Sequence, residues 1–360
     1  MSVISFARGV PAPECLAVDE IADCAKVAVE RGGPSVLLYG PGGGYGPLRE
    51  WIAERHGVEP ARVVITSGSL QGFVFLAQQL LPKPGTRVLV EAPTYDRPIK
   101  ILKRLGAEIV GVPMDDDGLV LDELPEGDFA FLYTIPTFQN PSGRSLTLER
   151  RRRLVELARD RSLLVLEDDP YGLVRYEGEP LPSLHELAGG EGIAYASSFS
   201  KTIAPGVRVG YFVLPTDLAR EVEALATSTY ISPPFMTQAT VHEFLRRGNF
   251  EPNLERVNGL LRARRDAMLE ALERNLPDGA VWSRPDGGYF VWLDLPEQAP
   301  SLADAERAGV TFVPGTDFFA DGSGGSSLRL AFSYVTPDEI GEGVERLAAV
   351  LAGAAAPASL

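Results

Sequence analysis

Short apolar runs of β-type residues alternate with helical patterns through the middle of this chain, and that alternation restricts the fold more than any other feature. Arg62–Ile65 leads through a Thr-Ser-Gly-Ser turn into the apolar, helix-like stretch Gly72–Leu81. Strand candidates follow at Arg87–Glu91, Phe129–Thr134, Leu163–Glu167, Ile193–Ser197 and Val209–Leu214, with amphipathic segments such as Leu148–Arg159 between them. Strands alternating with helices predict right-handed βαβ crossovers and a mostly parallel sheet flanked by helices. Beyond about residue 215 the pattern changes. Leu254–Asn275 reads as one long amphipathic helix, with Val257, Leu260, Leu261, Met268 and Leu272 on its apolar face. Gly288–Leu295, Val310–Val313 and Ser327–Phe332 read as strands of a smaller sheet, closed by a helix over Pro337–Leu351. The expectation is an α/β fold in which residues 48–250 form a large domain and 251–360 a smaller α+β domain. Residues 1–47, poor in helix period and rich in Gly and Pro, are expected to wrap as an arm or join the small domain.

The 360 residues carry 34 basic and 49 acidic side chains, a formal net charge of −15. Such a chain is repelled by nucleic acid and by anionic membranes, so neither is expected as a partner. Cys15 and Cys24 alone make no disulfide framework, and no Cys/His metal spacing accompanies them. The start, M-S-V-I-S-F-A-R-G, lacks a charged region followed by an apolar run, and no stretch approaches the ~18 apolar residues of a membrane span. A cytoplasmic protein is expected, with A-G-A-A-A-P-A-S-L as a frayed C-terminal tail.

Of Lys26, Lys83, Lys100, Lys103 and Lys201, the first four sit in helical or turn contexts that suit solvated charges. Lys201 differs: it lies in S-S-F-S-K-T-I-A-P-G-V-R-V-G between two strand candidates, among Ser198, Ser200, Thr202 and Arg208. A lysine at a buried strand end near fixed positive charge is pushed toward the neutral amine, which makes it a candidate Schiff-base nucleophile. The serines and the arginine would suit a phosphate. Asp168 and Asp169 follow the run L-L-V-L-E, at the strand edge where open α/β sheets bind ligands, although a turn pair would look the same. T-S-G-S-L-Q-G at 66–72 follows a strand and opens a helix, the geometry of an anion site, although many such turns are Gly/Ser-rich for shape alone. His56, His185 and His242 stand in no metal or triad spacing, so no metal is expected. There is no G-x-x-x-x-G-K-[ST], and the glycines at 40–46 do not fit G-x-G-x-x-G. Spacing alone therefore reaches an α/β enzyme with a phosphate-bearing ligand and a special lysine.

Taken together, these segments resemble the fold-type I, class I/II aminotransferases, and within them the branch of 2-aminoadipate and multi-substrate aminotransferases. The likeness runs from about Ser5 to Leu351. Its markers come in the family's order: Y-G-P-x-G-G-Y-G-P-L-R at 39–49, T-S-G-S at 66–69, E-A-P-T-Y at 91–95 and F-Q-N-P-S-G at 138–143. E-D-D-P-Y at 167–171, S-F-S-K-T-I-A-P-G-V-R-V-G at 198–210, then V-P-G-T-D-F-F and S-L-R-L-A-F, complete them. The same branch supplies effector domains of transcription regulators, whose winged-helix domain this sequence does not show.

The resemblance implies pyridoxal 5'-phosphate as cofactor and transfer of an amino group between an α-amino acid and a 2-oxo acid by a ping-pong route. Lys201 is then the Schiff-base lysine and proton shuttle, and Asp168, rather than Asp169, the partner of the pyridine nitrogen. Asn140 and Tyr171 would meet the cofactor's phenolic oxygen, and Tyr95 its ring face. Gly68, Ser69, the backbone N–H of Leu70, Ser198, Ser200 and Arg208 would form the phosphate cup, completed by Tyr39 from the other subunit of a homodimer with shared active sites. Leu70 stands where the branch often has Gln, so its side chain offers the phosphate nothing. Arg329 would clamp the substrate α-carboxylate, with Asn140 and Gly9 beside it, and Arg8 and Arg97 are candidates for a distal carboxylate. A β-lyase or decarboxylase on the same scaffold, and a non-catalytic cofactor-binding regulatory module, are the alternatives.

Overall fold

A computed structural model describes residues 2–353. The expected tail lies, beyond Gly353, outside the described residues. The chain opens with the short strand β1 (Ile4–Ser5), then helices α1 (Val18–Gly32) and α2 (Gly46–His56). Next come β2 (Val63–Thr66), α3 (Ser69–Leu80), β3 (Arg87–Ala92), α4 (Asp96–Arg104), β4 (Glu108–Asp115), β5 (Gly118–Leu119) and β6 (Leu132–Thr134). α5 (Leu148–Asp160), β7 (Val165–Asp168), α6 (Leu184–Leu187), β8 (Ile193–Ser198) and β9 (Gly210–Val213) complete the first half.

These strands form one eight-stranded sheet in the order β2-β9-β8-β7-β6-β3-β4-β5. β4, β3, β6, β7 and β8 run parallel, and β9 is antiparallel to both its neighbours. Parallel strands need a long crossover, and the segment that joins β8 to β9 is too short for one, so the chain turns straight back. Lys201 sits in that return. The central strands are apolar on both faces because both are covered. Val88 and Val90 face a core with Phe73, Leu76 and Phe131. Leu89, between them, faces the opposite core with Leu154 and Val155.

After α7 (Thr216–Tyr230) and α8 (Phe235–Arg246), the long helix α9 (Phe250–Asn275) leads into a smaller unit. There β10 (Val281–Trp282), β11 (Phe290–Asp294), β13 (Val313–Pro314) and β14 (Ser327–Ala331) make a four-stranded antiparallel sheet in the order β10-β11-β14-β13. α10 (Leu302–Arg307) and β12 (Val310–Thr311) lie between, and β12 pairs with β1. α11 (Pro337–Leu351) closes the chain with a Thr336/Glu339 capping box and Pro337 in its first turn, which satisfies orphan N–H groups.

The arm differs from its expectation. Residues 4–15 do join the small unit, where Ile4, Phe6, Ala12 and Cys15 are buried with Val310, Leu328 and Ile340. Residues 18–32, however, form the 15-residue helix α1, which buries only Cys24 and Ala28. A helix held by such small side chains carries little apolar period. β4 escapes sequence reading for a related reason: it lies near a sheet edge, buries only Val112 fully, and carries Gly111 and Pro113.

Candidate active site

The C-terminal ends of β2, β3, β6, β7 and β8 open into one cavity of about 410 Å³. Each strand is followed by a loop or helix start that carries a polar group, as expected where parallel strands end. Every cofactor and α-carboxylate residue expected from the resemblance lines this cavity except Tyr39, and of the distal candidates only Arg97 does.

β2 ends at Thr66, and the chain enters α3 through Gly68, whose φ of +85° is the left-handed region that favours glycine. A Cβ there would lie 2.2 Å from Arg208 Nη2, so only glycine admits the guanidinium. Arg208 Nη2 donates to the Ser67 carbonyl at 2.9 Å and Nη1 to that of Pro205 at 3.2 Å. The arginine thus lies against the first turn of α3, where the N–H groups of Ser69 and Leu70 have no intrahelical acceptor. Ser198 donates to Ser200 Oγ at 2.8 Å on the adjoining strand end. Helix N-terminus, arginine and paired hydroxyls together make an anion cup.

β7 separates its two aspartates by the pleat. Asp168 lines the cavity; its Oδ2 accepts from the Tyr133 hydroxyl at 2.7 Å, while its buried Oδ1 has no hydrogen-bond partner among the described residues. Burial pushes the Asp168 carboxyl up to about 7, opposed by the Tyr133 hydrogen bond. Asp169 turns to the other side, where Oδ1 accepts from the Gly172 N–H at 2.8 Å and Oδ2 from the Tyr195 hydroxyl at 3.1 Å. It lines a separate cavity of about 450 Å³ with His56 and Arg151, and no lysine reaches that space.

Lys201 is partly buried, and its Nζ donates to the Gly9 carbonyl at 2.7 Å. The ring centroids of Tyr289 and Tyr171 lie 5.1 and 5.7 Å from Nζ. Burial lowers its pKa to about 8, and the positive charges of Arg329 and Arg208 push the same way. Tyr171 is buried and held above the ordinary phenol range by that burial.

Arg329 comes from β14 of the small sheet. It stacks on Phe290 at 4.3 Å and Phe318 at 5.0 Å, donates from Nη1 to Asn140 Oδ1 at 3.0 Å and from Nη2 to the Ala7 carbonyl at 2.9 Å. Its Nε is buried without a partner among the described residues. Of the two distal candidates, Arg97 lines the cavity beside Asp96, whereas Arg8 lies over the Tyr334 ring, away from it. Tyr39 is 79% exposed and points into no part of its own chain's cavity.

Sequence reasoning missed the supports of these groups. Glu91 accepts from the Thr134 hydroxyl, the Ile135 N–H and the Gln139 amide, and so ties the loop that carries Tyr95 to the loop that carries Asn140. Burial pushes Glu91 up to about 7 against those hydrogen bonds. An acidic residue inside the apolar run R-V-L-V-E-A was the available signal. Tyr133 gave none, since an aromatic in a strand ordinarily means core.

An amine of lowered basicity, an orphaned carboxylate oxygen, a helix N-terminus with an arginine beside it and a stacked guanidinium line one cavity, a set of groups chemically suited to a phosphate-bearing ring and a carboxylate. The family model for aminotransferase class I and II matches residues 6–347, and the chain belongs to that pyridoxal-phosphate-dependent family. It is 39% identical to a 2-aminoadipate transaminase of Thermus thermophilus over 98% of this chain and 90% of that protein. It is 36% identical to aromatic-amino-acid aminotransferase 1 of Thermococcus litoralis over 96% of this chain and 87% of that one. A solved α-aminoadipate aminotransferase of Thermus thermophilus, complexed with N-(5'-phosphopyridoxyl)-L-leucine, superposes with a TM-score of 0.93 at 38% identity, covering 98% of this chain and 92% of the other.

Proposed function

We propose that this aminotransferase holds its cofactor and its α-amino-acid substrate in the 410 Å³ cavity, and that Lys201 is the residue that moves the proton. The observation that carries this reading is the Lys201 amine, lowered to about 8, in the same cavity as the orphaned Asp168 Oδ1. The residues present fit pyridoxal phosphate: the cup of Gly68, Ser69, Leu70, Ser198, Ser200 and Arg208 for its phosphate, Asp168 for its ring nitrogen, Tyr95 for its ring face, and Asn140 with Tyr171 for its phenolic oxygen. When bound, that cofactor supplies an electron sink for the amino acid's Cα–H bond.

A neutral Lys201 amine takes the α-proton and delivers it within the same cavity, without either charge state being far out of reach at neutral pH. Arg329, planar and stacked on Phe290, presents N–H groups to the substrate α-carboxylate, and Asn140 fixes its rotation within the stacking plane. Gly9 borders the same space, where a Cβ would lie 2.7 Å from the Phe290 ring. Val10 and Ile135 offer apolar surface, and Arg97 cationic surface, to a side chain in this cavity. The relatives named for aromatic amino acids and 2-aminoadipate support donors of both kinds.

The working unit we propose is a homodimer. Leu37, Leu38 and Tyr39 are 62, 67 and 79% exposed in a single chain, an apolar segment of the sort that a partner surface covers. Tyr39 would then reach the phosphate cup of the other subunit. A cytoplasmic setting suits the two buried, unpaired thiols of Cys15 and Cys24. Among the described residues no helix is long and apolar enough to cross a membrane.

A donor screen tests the reading. Purified protein with pyridoxal phosphate, 2-oxoglutarate and single amino acids should yield glutamate and the matching 2-oxo acid by mass spectrometry. Ammonia with pyruvate, or an amine with carbon dioxide, would instead identify a lyase or a decarboxylase.

A further inference from the structure

We infer that Tyr133 is a positioning residue for catalysis: its hydroxyl fixes Asp168 through one carboxylate oxygen so that the other faces the cavity. The inference rests on the reading of Asp168 as the ring-nitrogen partner. β6 and β7 run parallel with Tyr133 opposite Leu166, and Asp168 lies two residues further along β7 on the same face as Leu166. A tyrosine that leans along the strand is long enough to span that step, and its hydroxyl meets Asp168 Oδ2 at 2.7 Å. The ring itself is held. It is 1% exposed and packs edge-on against Phe73 with centroids 5.3 Å apart.

The two carboxylate oxygens are therefore unlike: Oδ2 has a donor, and Oδ1 is buried with none among the described residues. Among the described residues only Tyr133 donates to the Asp168 side chain. The space beside Asp168, lined by Ser69, Tyr95, Tyr133, Leu166, Ala196 and Phe212, measures about 10 Å³, the lower limit for a single water. Burial first, and then the charge of Asp168, hold the Tyr133 phenol well above its ordinary range, so its proton stays available as a donor. A neutral donor stabilises the ionised carboxylate without adding a charge that would compete with the ring nitrogen. Removing that donor makes Asp168 more basic, and a proton shared with the ring then rests on the carboxyl.

The test uses the holoenzyme and Tyr133→Phe, which keeps the ring and its packing on Phe73. Two quantities are measured: the single-turnover rate with an amino donor, and the infrared carboxyl band of Asp168, assigned by its loss in Asp168→Asn. The rate should fall roughly 10- to 100-fold, the range for a hydrogen bond to a charged group. The Asp168 band should move from the ionised toward the protonated form. In the Asp168→Asn background, Tyr133→Phe should change the rate little, because the two residues act through one bond. An unchanged rate and band in Tyr133→Phe overturns the inference, and so does an equal rate loss with and without the Asp168 carboxylate. Full activity in Asp168→Asn itself would instead sink the reading of Asp168. An impaired Asp168→Asn beside a normal Tyr133→Phe would sink only the role of Tyr133.

Discussion

Arg329 Nη1 and Asn140 Oδ1 meet at 3.0 Å, joining β14 of the small sheet to the loop after β6 of the large one. The residues are 189 positions apart, yet each limits the other's orientation. Stacking on Phe290 and Phe318 sets the guanidinium plane, and the Asn140 and Ala7 oxygens set its rotation within that plane. A planar fork held this way matches the geometry of a carboxylate, the partner proposed for it, and its position depends on the packing of both units.

Arg329→Lys is therefore expected to act on substrate recognition. A lysine keeps the charge but loses the planar fork and its stacking. The loss should be roughly 2–4 kcal/mol, or about 30- to 1000-fold in kcat/KM for an α-amino acid. An amine that lacks the α-carboxylate should be equally poor for both proteins. If Arg329→Lys slows that amine as much as the amino acid, the arginine serves folding rather than the carboxylate.

The lowered pKa of Lys201 gives a pH signature. Below about pH 8 its amine is protonated and cannot attack an aldehyde; above that value it is free, whereas an unperturbed lysine waits for about 10.4. Apoprotein should therefore combine with pyridoxal phosphate at a rate that rises with a midpoint near pH 8. Borohydride reduction followed by peptide mapping should place the label on Lys201. Stability follows from the same shift: between the folded value of about 8 and the ordinary value of 10.5, the unfolded chain binds more protons, so this group makes the apoprotein more stable as pH rises. Lys201→Met should remove that slope in melts of the apoprotein from pH 7 to 11. A label on another lysine would overturn the assignment.

Asp168 and Asp169 should separate by phenotype. Asp168→Ala deletes the carboxylate that faces the cavity and should cost several kcal/mol of transition-state stabilisation, on the order of 100-fold or more in kcat. Asp169→Ala leaves the half-buried Gly172 N–H and the hydroxyl of the buried Tyr195 without their acceptor, so it should lower the melting temperature while the folded fraction keeps most of its activity. Rates and melts measured on both variants decide the matter, and the reverse ranking would show that β7 presents the other aspartate.

Sequence named residues that the structure gathers in one cavity, but it read the fold's periphery less well. The strand runs around Val88–Val90 and Val165–Leu166 were legible because a sheet covered on both faces demands continuous apolar residues. Lys201 and Asn140 lie in loops, Asp168 at a strand end and Arg329 within β14, far apart in the chain, and spacing alone could not bring them together. The order of motifs did that. What stayed hidden depends on three-dimensional neighbours: α1 with its small buried face, β4 near the sheet edge, and Tyr133, whose hydroxyl matters only because β7 sets Asp168 one step beyond it. The Arg8 side chain could not have been excluded from sequence either, since its cation–π contact with Tyr334 is a matter of packing.

The exposed Tyr39 provides the sharpest test of a shared site. In a single chain it touches neither the phosphate cup nor any other part of the cavity, and it stands beside the exposed Leu37 and Leu38. If the segment packs on a second subunit, each site is completed by the partner and cofactor binding is linked to association. Tyr39→Phe should then weaken retention of pyridoxal phosphate on dilution, and Lys201→Ala should be inactive. The two variants, unfolded and reassembled together, form some mixed dimers in which one site combines an intact Lys201 with an intact Tyr39 from the other chain. Activity recovered in the mixture, above that of either variant alone, is the expected outcome. Suppose Tyr39→Phe is impaired and the mixture recovers nothing although mass spectrometry shows mixed dimers. Tyr39 would then serve the chain that carries it, and the arm would have to fold back from its exposed position to reach its own cavity.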